Sequence, residues 1–499
     1  MNENTLNYST KFGSKHALDA VAGFTVQKNI WDSNEASGSD FPDDIIQTIG
    51  VAKVKTGASD RSEWSMVSYL GRVNYRFMDK YYLTASIRSD GSSRFGKNKK
   101  YGYFPSASIA WRASEEEFMK NISWIRNLKV RTSYGLTGNN SMSGGNYASI
   151  GLVSTDNYVF GSGVGSVVSG ASQSTIQNDN LSWEKTKQFD FGLEFNILSD
   201  KIFFTADYYN RLTTDLLLQV DVPAITGFTT AWQNIGEMRN AGLEFSVNAR
   251  VISKAKFKWN SNFNISFNKN EVLALGPQGD PIRSNGGVGD THITMIGEPI
   301  GNFYGYKQIG VYMNAADLAG NPKEGTSKVG DVKYLDVSGD GVINANDRTV
   351  IGNNNPDFTY GFNNTFTYKN FDLSVMVYGS QGAEILHLAK RFYENMEGNQ
   401  QQLTTVLNRW KSEADPGNGI IPRANSLTTG LNNAVSSRWV EDGSFLKISN
   451  VTLGYNLPEN LAKRIKMQAA RVYLSGQNLY TFTKYSGYNP EVSFTGDNV

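Results

Sequence analysis

Between residues 257 and 268 nearly every second position is apolar: Phe257, Trp259, Phe263, Ile265 and Phe267, with Ser261 breaking the row. The positions between them are Lys258, Asn260, Asn262, Asn264, Ser266 and Asn268. The segment before it repeats the scheme, with Leu243, Phe245 and Val247 alternating with Glu244, Ser246 and Asn248, and residues 251–256 join the two as a hairpin. Period two marks an extended strand, because successive side chains point to opposite faces. One face is aromatic and the other is amide and hydroxyl. Runs of about ten such residues have the length of a strand that crosses a membrane with a wet surface behind it.

The same pattern predicts further hairpins. Residues 66–77 and 80–90 flank a turn at Met78-Asp79, and 103–113 and 127–137 flank a short helical insert, Glu115–Lys120. Ser114 is the expected N-cap of that insert, with acids in its first turn favoured by the helix dipole. Residues 186–197 and 201–211 flank Ser199-Asp200, 358–368 and 371–380 flank Lys369-Asn370, and 444–456 and 470–482 flank a helical turn at Glu459–Lys463. Thr5–Phe12 and Leu18–Lys28 read as a first hairpin. The pattern predicts about 15–18 strands. Tight turns alternate with long Gly/Ser/Asn-rich loops at 138–180, 272–299, 315–356 and 384–440. The last loop opens with an amphipathic stretch, Ala383–Glu397, expected to be a short helix. The fold class is therefore all-β: an antiparallel transmembrane β-barrel with short periplasmic turns and long extracellular loops. A propeller, solenoid or stack of sandwiches would show shorter strands and a fixed repeat, and none is visible.

Composition strengthens this picture. The 499 residues include 49 Gly, 25 Tyr, 27 Phe and 9 Trp, with aromatics at 12%, yet mean hydropathy is −0.40. A barrel with one apolar and one wet face combines these values naturally. No apolar run approaches the roughly 20 residues of a spanning helix. The start, MNENTLNYSTKFG, has neither a basic nor an apolar leader segment, so an export signal is expected upstream or already removed. With no Cys, disulfides and thiolate metal sites are excluded. A net charge of +1 gives no reason to expect a nucleic-acid partner.

Candidate chemistry is sparse, and no enzyme is expected. His16, His292 and His387 are scattered, with no partner at metal-ligand spacing. Neither a nucleophile elbow nor a P-loop occurs. The acidic pairs Asp43-Asp44 and Glu115–Glu117 read as solvated charge. One segment fits a calcium loop: Asp336, Ser338 and Asp340 at positions 1, 3 and 5, Gly341 at the sharp turn, the Val342 carbonyl at 7, Asn344 at 9 and Asp347 at 12. Ile343 at position 8 would anchor it to apolar neighbours. A turn rich in Asp and Gly without metal has the same composition. Any calcium here is expected to staple a loop, not to catalyse. The loop aromatics Tyr147, Tyr158, Phe160, Phe303, Tyr304, Tyr306, Phe392 and Tyr393 are candidates for substrate contact only as a class.

Several stretches resemble a known family. They are YLTASIRSDGSSRFG (82–96), YFPSASIAWRASEEEFMK (103–120), LKVRTSYGLTGNN (128–140), LSWEKTKQFDFGLEF (181–195), FTADYYNRLTTDLLL (204–218), GDVKYLDVSGDGVINANDRTVIGNNNPDFTYGF (330–362), GSFLKISNVTLGYNLP (443–458) and RVYLSGQNLYTFTKYSGYNPE (471–491). In this order and spacing they resemble the SusC/RagA-like TonB-dependent transporters of the outer membrane. That resemblance implies a barrel of about 22 strands closed by a plug, import of oligosaccharides or peptides, energy from the TonB complex, and a SusD-type surface lipoprotein that delivers substrate. Residues 1–499 correspond to the barrel region, with 315–356 as a long loop carrying the calcium-like insert. No plug, TonB box or terminal strands are visible, so the chain is expected to be a fragment. A passive channel without a plug, and a soluble calcium-dependent carbohydrate-binding β-protein, are the alternatives.

Overall fold

The computed structural model describes residues 1–142, 145–160, 167–427 and 430–491. Its main sheet has fourteen strands, each beside its neighbours in chain order. Two compact units are distinguished. One comprises Met1–Arg112, Arg131–Asp190 and Arg211–Glu237, and the other Ala113–Val130, Phe191–Asn210 and Met238–Val499.

In the first unit, strands Asn2–Phe12, His16–Ser39, Val54–Phe77, Tyr81–Ser92 and Tyr101–Trp111 pair antiparallel in sequence. Their register aligns Leu6, Ala22, Gly71, Ile87 and Pro105 in one row across the five strands. One residue along, the row is Asn7, Val21, Arg72, Ser86 and Ser106. Alternation in sequence has thus become an apolar face and a mostly polar face, as the pleat requires. On the polar face the Ser86 and Ser106 hydroxyls meet at 2.7 Å. At the expected turn, Met78 and Asp79 both take positive φ, 54° each, which matches the twist of the flanking strands.

The second and third strands are 24 residues each, about twice the expected length. They stay paired from His16↔Phe77 to Ser39↔Val54. Beyond Val26 the apolar row gives way to cross-strand ion pairs, Lys28–Glu63 at 3.1 Å and Arg61–Asp32 at 3.7 Å. Such pairs are at home in water and not in hydrocarbon.

In the second unit, Phe257–Ala274 pairs with Phe358–Tyr368, followed by Phe371–Gln381, Phe445–Asn456 and Arg471–Thr483. The predicted aromatic row forms a cross-strand ladder: Trp259–Phe366 stacked at 5.6 Å, Phe263–Phe362 edge-on at 6.3 Å and Phe267–Phe358 at 5.7 Å. Each such pair adds about 0.5–1.5 kcal/mol beyond its area. Ser261, the break in the row, lies opposite Asn364. The Trp259 indole N–H donates to the Asn364 side-chain oxygen at 2.9 Å, so the polar interruption is satisfied within the ladder.

The loops are built more than alternation implies. Ile282–Asn285, Asp290–Thr294, Asn302–Tyr306 and Arg348–Gly352 form a four-stranded sheet. Gln308–Val311 pairs with Val332–Tyr334, and Glu384–Leu386 with Val440–Asp442. Two helical expectations shrink. The stretch 383–397 yields only the helix Leu388–Tyr393, because its start is drawn into the pairing with Val440–Asp442. The insert at 115–120 is two 3-10 turns, Ala113–Glu115 and Glu117–Met119. Ser114 lies inside the first of them and its hydroxyl is buried with no hydrogen-bond partner, so it is no N-cap. Among the described residues no helix is long and apolar enough to cross a membrane.

Candidate functional site

The calcium-like segment folds as a closed loop. Gly339 and Gly341 take φ of 75° and 84°, values glycine reaches without strain. The Asp336 carboxylate accepts from the N–H groups of Gly339 at 2.6 Å and Gly341 at 2.9 Å, and from the Ser338 hydroxyl at 3.3 Å. Asp340 accepts from the Val342 N–H at 2.8 Å and the Asn344 amide at 3.2 Å. That same amide donates to the Val342 carbonyl at 3.3 Å. Asp347 faces inward, fully buried. It accepts N–H groups from Val337 and Ser338, each at 3.0 Å, and from Asn344 at 2.7 Å. Burial alone would raise the Asp347 pKa, but these backbone donors outweigh it and the carboxyl is held below its ordinary range. Ile343 packs into a cluster with Tyr306, Val332 and Tyr334. Asp336, Ser338, Asp340, the Val342 carbonyl and Asn344 lie at the loop surface, with the Asn344 Oδ1 accepting the Asn346 N–H at 2.8 Å, and Asp347 is the clasp that shapes the loop. Among the described residues no cluster of three or more His, Asp or Glu is arranged to hold a metal.

Beneath this loop lies a buried polar network. Asp331 is fully buried. It accepts from Arg423 Nε at 2.8 Å, Asn432 Nδ2 at 3.0 Å and the Lys328 N–H at 2.7 Å. Tyr312 beside it is pushed up to about 12 by burial, with the Asp317 and Asp331 charges adding to the effect. Nearby, Glu397 is raised to about 6 by burial. In Glu441, burial also pushes upward, but donors from Lys390 and Ser486 win and hold the carboxyl at about 2. Asp331 and Glu441 tie residues far apart in sequence together.

In the first unit another loop is held at its base. Phe95, Phe104, Ala148, Leu181, Trp183 and Leu217 form a buried cluster. Arg94 stacks on Trp64 at 4.5 Å and donates to Asn146 at 2.7 Å and to the Asn140 carbonyl at 2.8 Å. The hairpin Val153–Val159 with Val167–Gln173 rises from that base with every residue exposed.

Residues 2–479 match the family model described as TonB dependent receptor-like, beta-barrel. The chain belongs to that family. It is 37% identical over 515 residues to TonB-dependent receptor P3 of Formosa agariphila, covering 100% of this chain and 49% of the relative. It is 32% identical over 453 residues to TonB-dependent receptor SusC of Bacteroides thetaiotaomicron, covering 88% of this chain and 43% of the relative. The RagAB peptide transporter superposes with a TM-score of 0.83 at 27% identity, covering 98% of this chain and 52% of that one. The chain spans about half the length of the curated relatives it matches.

In a TonB-dependent receptor-like barrel of the outer membrane, the apolar faces described above meet lipid and the polar faces meet water. The family is one of receptors and transporters. Of the eight loop aromatics singled out from sequence, Phe303, Tyr304 and Tyr306 are 4%, 7% and 9% exposed and serve as core of the loop layer. Tyr147 uses its hydroxyl to accept the Glu63 N–H at 2.9 Å. Tyr158, Phe160, Phe392 and Tyr393 remain open to solvent. Sequence gave no means of separating the two groups, because core and contact aromatics have the same composition.

Proposed function

We propose that the protein containing this barrel region imports an oligosaccharide or peptide across the outer membrane, driven through the TonB complex and supplied by a SusD-type surface lipoprotein. The observation that carries the reading is the two-faced wall joined to an ordered loop layer: aromatic ladders on one face, Asn, Ser and Arg on the other. The similarity to SusC and to the RagAB peptide transporter supports it. The test is uptake by intact cells of labelled oligosaccharide and peptide pools, in strains with and without the gene and with TonB inactivated. Uptake of one pool that needs both is expected. Uptake that persists without TonB would replace this reading with a passive channel.

For the loop Asp336–Asp347 we propose a structural calcium ion held by Asp336, Ser338, Asp340, the Val342 carbonyl and Asn344. Calcium at a hundredfold excess over its dissociation constant stabilises the bound form by about 2.7 kcal/mol. Amide exchange at Val337–Asn344 in the full-length protein should slow correspondingly with calcium, and not with magnesium. Asp336→Ala together with Asp340→Ala should abolish the effect. Exchange indifferent to calcium in the unaltered protein rules the ion out.

A further inference from the structure

The strands His16–Ser39 and Val54–Phe77 outrun the membrane belt. Above the row Val26↔Val67 they continue for thirteen paired rows, Gln27↔Met66 to Ser39↔Val54, or about 40 Å at the usual strand rise. The lowest rows of this ribbon are braced by Asn146 on Ser62 and Tyr147 on Glu63; beyond them it stands as two strands, marginal in water on their own, yet it ends in a built tip. Lys53 N–H donates to the Asp40 carbonyl at 3.2 Å, and Ala52 N–H to the Ile49 carbonyl at 3.2 Å. The Asp43 carboxylate caps the N–H groups of Ile45 at 2.9 Å and Ile46 at 3.3 Å. Ala52 is buried at 4% against Gly38, where an added Cβ would lie 2.7 Å from the Ala52 Cβ.

This ordered platform presents apolar side chains outward. Ile45 is 86% exposed, and Phe41, Ile46, Ile49, Val51 and Val54 are exposed around it. A preformed apolar knob is a surface waiting for cover. Its setting is acidic: Glu35, Asp40, Asp43 and Asp44 stand exposed against only Lys53 and Lys55, and the Lys55 ammonium is turned onto the Gly50 carbonyl at 2.8 Å. The height above the belt puts lipid tails out of reach. Like charge disfavours both an anionic membrane surface and a second copy of the same tip. The complement is a protein face with an apolar socket rimmed by Lys and Arg.

We propose that this arm is a docking element whose tip seats in such a socket on the surface lipoprotein, which rests on the function proposed above. The test uses the full-length protein co-expressed with its cognate SusD-type lipoprotein, the latter carrying an affinity tag. Ile45→Asp with Ile46→Asp should weaken retention of the importer by at least about tenfold. Asp40→Lys with Asp44→Lys should weaken it most at low salt. A benzophenone amino acid at position 45 should cross-link to the lipoprotein. Heat-modifiable electrophoretic mobility verifies that each variant keeps its barrel. Variants retained like the unaltered protein, or a cross-link to a second copy of this chain, overturn the arm and leave the import reading standing. An unaltered protein that retains no lipoprotein overturns both.

Discussion

Asp331→Ala should unlock the loop layer around residues 308–342 and 396–435. Asp331 is fully buried, and its carboxylate is the shared acceptor for Arg423, Asn432 and the Lys328 N–H. The alanine variant leaves the Arg423 guanidinium, only 20% exposed, without its counter-charge. Breaking one side of a buried pair costs about 3–5 kcal/mol. Amides at Val332–Tyr334 should then exchange on the order of a hundred- to a thousandfold faster. Asp331→Asn keeps the shape but loses the charge and should fall between the two. Gly430→Ala should act in the same direction, because Gly430 has φ of +73° and an added Cβ would lie 2.5 Å from an Asp331 carboxylate oxygen. Exchange within about threefold of the unaltered protein for Asp331→Ala would show that packing, and not this network, holds the layer. The consequence for function is direct: substrate contacts on loops need a fixed frame.

Trp183→Ala should release the base of the loop between Asn139 and Trp183. The Trp183 ring is 3% exposed, lies 4.8 Å from Phe95 and 5.4 Å from Phe104, and its indole N–H donates to the Lys100 carbonyl at 3.0 Å. Truncating a buried tryptophan costs about 3–5 kcal/mol. The adjoining turn at 93–100, whose Lys100 carbonyl the Trp183 indole holds, should loosen with it, and trypsin added to intact cells should cut at Lys97, Lys99 or Lys100 in the variant and spare the unaltered protein. Trp183→Phe retains most of the packing and loses one hydrogen bond, at about 1 kcal/mol, and should stay resistant. Equal resistance of Trp183→Ala would show that the Arg94 contacts alone hold the loop. Heat-modifiable mobility again separates a released loop from a lost barrel.

Much of the wall was legible along the chain. The hairpin expected at 358–368 and 371–380 is Phe358–Tyr368 and Phe371–Gln381, and that at 444–456 and 470–482 is Phe445–Asn456 and Arg471–Thr483. Alternation is a local signal, and in a strand between lipid and water it is imposed on every residue. Where residues answer to distant partners, the signal fails. The strand His16–Ser39 reads as ending near Lys28 because Lys28 and Asp32 break its apolar row, yet cross-strand ion pairs and the folded tip carry it on. The stretch 383–397 has helical spacing, but pairing of Glu384–Leu386 with Val440–Asp442 claims its first turn.

The candidate site divides in the same way. The spacing from Asp336 to Asp347 specified a turn with oxygen donors and Gly341 at its sharp bend, and those are local properties. That Asp347 turns inward and is saturated by three N–H groups depends on the packing of Ile343 against Tyr306 and Tyr334. Fold class, family and most wall strands are legible along the chain, because period-two burial is written into neighbouring residues. Which aromatics are core, which carboxylates are buried and how far the ribbon reaches are settled by packing. Those outcomes depend on contacts between residues a hundred or more positions apart, such as Val332 and Asn432, whose composition alone does not reveal their partners.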